Sequence, residues 1–413
     1  MSDNNKEFDA IAGPPASTSE EYKATLLTSA ALKDSFNSKG KDTKRPSSAD
    51  IFKAAGKDIM VRNSISGAFK TLRDMTGGDD QPLEYSDLKK VRVLGQGAFA
   101  EVDEMVDAAG ARFAVKKLKP QLADSDLQDF INETGLLKKL KNNNIVEFRG
   151  MGQYGQSTHE LFIAQECMDG GSLKNILYKQ GVTPGKVLYT RADALRWAIQ
   201  MAKGLKYLHE AKPMVIHRDL KLENILLDNK DPKKANAKIA DFGLHKVINQ
   251  VMLRKGDAAE GAGDGEMSKS ITRNAKKKED PTYKMTGETG SLMYMAPEVL
   301  LGNVYNEKVD MFSFGVMFFE MLDYTMMVGK VSISGDPEEL QNYAKRVSTG
   351  FRPGIPAHWP PNVGATIEKC WNQDANVRPS FAEVIPMLEA LSGDIAAMDS
   401  KLKDSQGCNC TIM

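Results

Sequence analysis

The chain has few cysteines and no excess of charge of either sign. Four cysteines occur among 413 residues, too few for a disulfide-stabilised scaffold of this length. Cys408 and Cys410 lie close together, but no second pair lies near them to complete a zinc site. Lys+Arg and Asp+Glu both number 55, and without a basic excess we expect no nucleic-acid partner. A reducing, cytoplasmic compartment is therefore expected.

Long hydrophobic segments are also missing. The most apolar stretch, Met311–Leu322, contains Glu320 and is too short to cross a bilayer, so we expect a helix buried in a protein core. The first ten residues are polar and acidic, and we expect no secretion signal there.

Composition and periodicity divide the chain into three parts. Residues 1–84 are rich in Ser, Lys, Asp and Gly and are expected to be largely disordered. From Tyr85 the pattern predicts a small sheet with one helix, and after Gly171 it becomes mainly helical, an α+β arrangement. The predicted strands cover 91–94, 102–106, 112–118, 145–149 and 161–167. The predicted helices cover 126–141, 191–210, 306–322, 337–349, 363–372 and 380–391.

A glycine-rich segment lies between the first two predicted strands. Glycine lets a backbone approach phosphate closely, although a plain hairpin turn explains such a segment equally well. A strand follows it and no P-loop lysine is present, so it differs from dinucleotide-binding and P-loop turns. The segment consists of Gly95, Gln96, Gly97, Ala98, Phe99, Ala100, Glu101 and Val102.

Lys116 on the third predicted strand and Glu133 on the following helix form a candidate ion pair. A lysine held by a glutamate can meet the α- and β-phosphates of a nucleotide. The alternatives are a solvated strand lysine and a structural pair that contributes little.

A polar cluster bracketed by apolar residues lies at 216–227. Within it Asp219 can accept the proton of an attacking hydroxyl, Lys221 can neutralise a transferring phosphoryl group, and Asn224 can bind a metal through oxygen. Farther along, Asp241 follows a predicted strand and precedes Gly243, a suitable place for a Mg²⁺ ligand.

Together these motifs resemble the eukaryotic protein kinase family, in its order and near its spacing, over about residues 86–392. The string around Cys370 and the string from Arg378 to Phe381 are similar to the tyrosine-kinase-like group of serine/threonine kinases, which includes Raf-like and mixed-lineage members. The motifs that carry the resemblance are Lys116, Glu133, His217–Asn224, Asp241–Gly243 and Ala296–Glu298.

The resemblance implies a two-lobed kinase fold that uses ATP and Mg²⁺ to phosphorylate proteins. It implies a domain at 85–392, with an N-lobe at 85–168 and a C-lobe at 169–392, and a polar tail at 393–413. It also makes Asp219 the catalytic base or the group that orients the hydroxyl, with Lys221 on the γ-phosphate.

The remaining site residues follow from the same resemblance. Lys116 and Glu133 anchor the phosphates, and Asn224 and Asp241 hold magnesium. The adenine is expected between Val102, Ala114 and Leu226, with backbone hydrogen bonds from Glu166 to Met168. Gln165 gates the pocket behind the base. Ala100 replaces the third glycine of the phosphate loop, where alanine disfavours positive φ angles.

Lys221 and Ser291 match the serine/threonine pattern. A segment at about 249–283 is expected to be an insertion in the activation loop, and Arg218 is expected to receive a phosphate there. The candidate acceptors are Thr282, Tyr283, Thr286 and Thr289, with Thr286 favoured.

Cys410, followed by Thr-Ile-Met, resembles a prenylation signal and predicts peripheral membrane attachment. The alternative to an active enzyme is a pseudokinase scaffold that binds signalling partners. The sequence leaves the protein substrate and the oligomeric state open.

Overall fold

Five antiparallel strands form the amino-terminal part of the structure. A computed structural model of the chain describes residues 83–97, 99–120, 124–155, 160–183, 186–243, 246–248, 291–331 and 336–407. The sheet order is β1-β2-β3-β5-β4. Its strands are β1 (Lys89–Gln96), β2 (Ala100–Val106), β3 (Arg112–Leu118), β4 (Phe148–Gln153) and β5 (Leu161–Glu166).

One helix, α1 (Asp124–Lys139), packs on this sheet. Its Phe130 and Ile131 are buried against Leu161 and Ile163 of β5, as the helical spacing of apolar residues predicts. The helix begins and ends two residues before the predicted bounds. It places Glu133 on the sheet face that carries Lys116.

The second part is mainly helical and is built around a buried helix. Helix α5 (Lys308–Asp323) is buried at every residue from Val309 to Leu322, which confirms the predicted core helix. In the described residues the helices of this part are α2 (Leu173–Val182), α3 (Arg191–Glu210), α4 (Pro297–Leu300), α5, α6 (Met327–Lys330), α7 (Pro337–Ser348), α8 (Pro361–Cys370), α9 (Phe381–Ala390) and α10 (Ser392–Gly407).

Helix α3 has the bounds that the sequence predicts, and a capping box stabilises its start. The Thr190 side chain accepts a hydrogen bond from the backbone of Asp193, and the Asp193 carboxylate accepts one from the backbone of Thr190. Each satisfies a backbone donor that the first helical turn leaves unpaired.

Short strands position the loops between the two parts. β6 (Gly171–Ser172), β8 (Ile225–Leu227) and β9 (Ala237–Ile239) form one small sheet, and β7 (Met214–Ile216) pairs with β10 (Lys246–Ile248).

The loop after α1 is fixed to the helical part. Asn144 accepts a hydrogen bond from the backbone of Ile239, and Val146 donates one to Ile239, at 2.9 Å each. Gly204 of α3 permits this approach, since a Cβ there would lie 3.0 Å from the Asn144 oxygen and 2.8 Å from Ile239 Cδ1. The end of α1 is therefore held by the helical part.

One prediction about secondary structure is wrong, and one helix was not predicted. A strand at 145–149 was expected, but Ile145 forms an isolated parallel bridge with Ile239, and β4 begins only at Phe148. The segment 393–413, for which the sequence predicts a polar tail, belongs up to Gly407 to helix α10, which the periodicity did not predict.

Helix α10 packs on the domain and extends it past residue 392. Ile395 and Met398 are buried, and the Asp399 carboxylate accepts hydrogen bonds from the backbone N–H groups of Arg191 and Ala192 at 3.1 Å each. Asp399 therefore satisfies further donors at the start of α3.

Several predictions fall on residues outside the described ranges. These are the region before residue 83, Ala98, the proposed insertion at 249–283, Thr282, Tyr283, Thr286, Thr289, Cys408 and Cys410. Within the described ranges, no helix has the length and apolar character needed to span a membrane.

Candidate active site

Three charged side chains meet where the sheet faces the helical part. The Lys116 ammonium lies 2.9 Å from both carboxylate oxygens of Glu133 and 3.2 Å from Oδ1 of Asp241. Glu133 is buried, whereas about half of the Asp241 side chain, 49%, is exposed. The predicted pair of Lys116 and Glu133 is formed, and Asp241 presents its carboxylate to an open cleft.

Mutual attraction keeps the lysine and the aspartate charged. Burial alone would lower the pKa of Lys116, but the negative charges of Asp241 and Glu133 outweigh it and raise that pKa above its usual range. The positive charge of Lys116 lowers the pKa of Asp241 to about 2. At neutral pH the cleft therefore contains a fixed cation beside an ionised carboxylate.

A second cluster surrounds Asp219. The Ser291 hydroxyl donates to Asp219 Oδ1 at 3.1 Å, and the Asn224 amide donates to Oδ2 at 3.1 Å. The Lys221 ammonium lies 3.1 Å from Oδ2 and donates to the Ser291 hydroxyl at 3.1 Å. One carboxylate is thus oriented by three neighbours that the sequence singled out.

Asp310 of α5 stabilises the backbone that carries Asp219. Asp310 is buried and accepts hydrogen bonds from the backbone N–H groups of His217 and Arg218, at 2.9 Å each. It also lies 2.8 Å from His209 Nε2. Arg218 has a φ of 72°, a left-handed conformation that is costly for a residue with a Cβ. The two hydrogen bonds that Asp310 accepts offset that cost.

Backbone and ring contacts connect the two clusters. The N–H of Ala240 donates to the Asn224 carbonyl at 2.8 Å, and the rings of His217 and Phe242 lie 4.9 Å apart. The N–H of Phe242 donates to Glu133. The residues around 219–224 and 241–243 are therefore joined directly to each other and to α1.

The glycine-rich turn differs from expectation at Ala100. The N–H of Gly97 donates to the Ala100 carbonyl at 2.8 Å and closes the turn. Ala100 is the first residue of β2, paired with Leu118, and it is not among the described residues with positive φ. Alanine therefore fits this position without strain. A Cβ at Gly95 would meet no atom within 4 Å, which leaves the backbone accessible.

The described geometry fits a bound adenine nucleotide. Val102, Ala114 and Leu226 are half-buried, and Val102 and Ala114 share the sheet face of Lys116. The Glu166 N–H already donates to the Glu147 carbonyl at 3.0 Å. We call the segment Glu166–Met168 the hinge. Its hydrogen bonds to a base therefore have to come from the Glu166 carbonyl and from the residues up to Met168.

Asn224 and Asp241 have the chemistry to hold a magnesium ion. The Asn224 amide nitrogen is turned toward Asp219, so its carbonyl oxygen is the end that can meet a metal. Asp241 is ionised and half-exposed. No group of three or more His, Cys, Asp or Glu side chains within the described ranges could hold a metal, so a magnesium ion held by Asn224 and Asp241 would require further oxygen ligands.

Ion pairs at the hinge were not predicted. The Glu166 carboxylate accepts hydrogen bonds from Lys238 of β9 at 2.6 and 2.8 Å, and Arg112 of β3 contacts Asp169 through two nitrogens at 2.6 and 3.0 Å. These partners are far apart in the sequence. In the sequence, these residues can be recognised only as charged residues next to buried strands. That position predicts an ion pair but does not identify the partner.

Glu298 and Arg378 form an ion pair. Arg378 is buried and donates through two nitrogens to the Glu298 carboxylate at 2.6 and 2.9 Å. This bidentate geometry is the strong form of the contact. It fixes the segment that carries Ser291 against the helical part.

Comparison with known proteins agrees with this geometry. The family model described as "Protein kinase domain" matches residues 88–387. Serine/threonine-protein kinase VIK of Arabidopsis thaliana is 35% identical over 319 residues, covering 75% of this chain and 61% of the relative. Serine/threonine-protein kinase STY46 of the same plant is 32% identical over 337 residues, 80% of this chain and 49% of the relative.

A third similar protein is serine/threonine-protein kinase CTR1 of Arabidopsis thaliana, 31% identical over 315 residues, 76% of this chain and 33% of the relative. The chain thus spans about half the length of the curated relatives it matches, from 33% to 61% in these three. The resemblance to the tyrosine-kinase-like group of serine/threonine kinases is confirmed.

Proposed function

The chain belongs to the protein kinase family, and on that premise we propose that it transfers the γ-phosphate of ATP to serine and threonine hydroxyls of proteins. One observation carries the proposal. Asp219 is held by Ser291, Lys221 and Asn224 in the cleft that also contains Lys116, paired to its glutamate. Phosphoryl transfer requires mainly positioning and charge stabilisation, and these groups supply both.

Each side chain has a defined task. Oδ1 and Oδ2 of Asp219 orient the substrate hydroxyl and accept its proton. The Lys221 ammonium, 3.1 Å from Asp219, neutralises charge on the transferring group. Lys116 holds the α- and β-phosphates, and its contacts with Glu133 fix its position. Magnesium, when held by Asn224 and Asp241, neutralises phosphate charge.

The preference for serine and threonine rests on the bonds between Lys221, Ser291 and Asp219. Lys221 donates to the Ser291 hydroxyl, which donates to Asp219. The lysine is thereby held beside the base. The three relatives are also named as serine/threonine-protein kinases.

A pseudokinase scaffold was the alternative. Among the described residues, the predicted catalytic and metal-binding side chains form two clusters, around Lys116 and around Asp219, and the hydrogen bond from Ala240 to Asn224 connects them. A scaffold without catalysis does not need a buried lysine–glutamate pair beside an ionised aspartate. The active enzyme is therefore the better-supported proposal.

The central experiment compares purified wild-type protein with Asp219→Asn in transfer of labelled phosphate from ATP to a mixed protein substrate. We expect the rate to fall on the order of 10²–10⁴-fold, because a general base is lost. Asp394→Asn is the matched control, since that side chain contacts Asn362 on the C-lobe surface, and its rate should equal the wild-type rate. Equal rates for wild type and Asp219→Asn would refute the proposal.

Phosphorylation of the activation loop is a separate proposal. Arg218 lies beside the catalytic base, with its guanidinium 5.5 Å from the Tyr305 ring centre, and a guanidinium can pair with a phosphate. Replacing Thr282, Tyr283, Thr286 and Thr289 together by alanine should lower activity. Unchanged activity would exclude this form of regulation.

We also propose peripheral membrane attachment through a lipid on Cys410. Cys410→Ser should reduce the membrane-bound fraction measured by cell fractionation, with Cys370→Ser as the control, since Cys370 is buried. An unchanged fraction for Cys410→Ser would contradict the proposal.

A further inference from the structure

Gln165 lies on the cleft face of the sheet. It is in β5, directly opposite Ala114 of β3 and Phe148 of β4. Opposite residues of antiparallel strands point to the same face, and residues two apart on one strand share that face. Gln165 therefore shares its face with Ala114 and Lys116. The second-to-last residue of β5, just before Glu166, is thus a glutamine beside the proposed adenine pocket.

The amide nitrogen of Gln165 has no hydrogen-bond partner among the described residues. Nε2 is buried, and no described acceptor lies within hydrogen-bond distance. The nearest neighbours on the same face are Ala114 and Phe148 across the sheet and Ile163 along the strand, whose side chains offer no acceptor. Buried polar groups are almost always paired, so an unpaired one requires an explanation.

The hydrogen-bonding groups on the edges of adenine explain the unpaired amide of Gln165. Hinge backbone groups that bind the Watson–Crick edge leave N7 and the second N6 hydrogen facing away from the hinge. A side-chain amide matches that remaining edge, because its oxygen accepts from N6 while its nitrogen donates to N7. Guanine presents two acceptors there, O6 and N7, so in either orientation of the amide one acceptor faces another.

We propose that Gln165 determines base specificity by reading the N6/N7 edge of the purine with its side-chain amide. The inference rests on the proposed function, because it assumes that a nucleotide binds beneath the sheet. The inference goes beyond the proposed function because it assigns selection of the base to the side chain of Gln165. The hinge offers only backbone groups to the base. A glutamine that only limits the size of the pocket would be indifferent to the atom at position 7 of the base.

The test measures binding by titration calorimetry, with ATP, 7-deaza-ATP and 2′-deoxy-ATP, each with magnesium. 7-Deaza-ATP replaces N7 by a carbon and removes the acceptor. Wild type should bind it about 5- to 30-fold more weakly than ATP, the effect of leaving one buried donor unpaired. In Gln165→Met, which keeps the side-chain length and removes the amide, the ratio should fall to about 1.

2′-Deoxy-ATP is the control nucleotide, since its change lies on the ribose, and its ratio to ATP should be the same in both proteins. Equal affinities of wild type for ATP and 7-deaza-ATP would overturn the inference even if the variant does not fold. A ratio that persists in Gln165→Met would overturn it as well. A wild-type protein that binds no ATP would refute the proposed function too, whereas ATP binding without discrimination refutes only the role of Gln165.

Discussion

A buried glutamate in the core helix should make the stability of the protein depend on pH. Glu320 of α5 is 1% exposed, and among the described residues it forms no ion pair. The backbone N–H of Met327 donates to its Oε1 at 2.5 Å. Burial raises the pKa of this carboxyl from 4.5 to about 8, because a charged carboxylate is poorly solvated inside the core.

The direction of the effect follows from the protons bound in each state. Between pH 4.5 and about 8, the unfolded chain has released this proton while the folded protein still holds it. The free energy of unfolding therefore falls as pH rises through this window, by up to about 1.4 kcal/mol per pH unit. Over the whole window the loss is on the order of 3–5 kcal/mol.

Glu320→Gln removes the titration and keeps the size of the side chain. Urea unfolding of both proteins at pH 5, 6, 7 and 8 measures the result. We expect the variant to gain stability relative to wild type as pH rises, by a few kcal/mol between the two extremes. Glu389→Gln, at an exposed glutamate, controls for the loss of one surface charge. A difference between Glu320→Gln and wild type that is the same at pH 5 and pH 8 would refute the reasoning.

Three further substitutions test the site and the fold. Ser291→Ala should reduce kcat about 10-fold or more while the KM for ATP stays constant, because the hydroxyl orients the base. Ser291→Thr should restore kcat. Both parameters are measured by steady-state kinetics, and an unchanged kcat in Ser291→Ala contradicts the assignment. Glu133→Gln should raise the KM for ATP about 10-fold by loosening Lys116, and an unchanged KM would show that the pair does not position the lysine. Asp399→Asn should lower the free energy of unfolding by about 1 kcal/mol through the weakened cap of α3, with Asp394→Asn as control; equal unfolding curves for the two variants would remove Asp399 from the capping role.

The active-site residues could be predicted because their signals are local. Asp219, Lys221 and Asn224 lie within one short segment, and the bounds of α3 follow from the apolar spacing between Arg191 and Glu210. The packing of α1 follows from its own apolar spacing. In each case the residues that determine the structure are neighbours in the sequence.

The features that were missed depend on distant partners. Ile145 looks like part of a strand, but its bridge is to Ile239, and nothing in its neighbourhood indicates that pairing. Helix α10 is polar, with Ile395 and Met398 as its buried apolar contacts, so periodicity did not identify it. Its contact with the start of α3 depends on Asp399, a residue whose role appears only in three dimensions.

The loop after α1 is attached to β9, so the carboxyl-terminal end of that helix is fixed. A rotation of the helix about this end moves the residues nearer its start. Glu133 lies six residues before Lys139, the last residue of α1, so it is about 9 Å from the fixed end at 1.5 Å per residue. Tilting the helix by about 20° about that end would displace Glu133 by about 3 Å along an arc of this radius. That displacement is as large as the 2.9 Å separating its carboxylate from the Lys116 ammonium, so a small rotation is enough to separate Glu133 from Lys116.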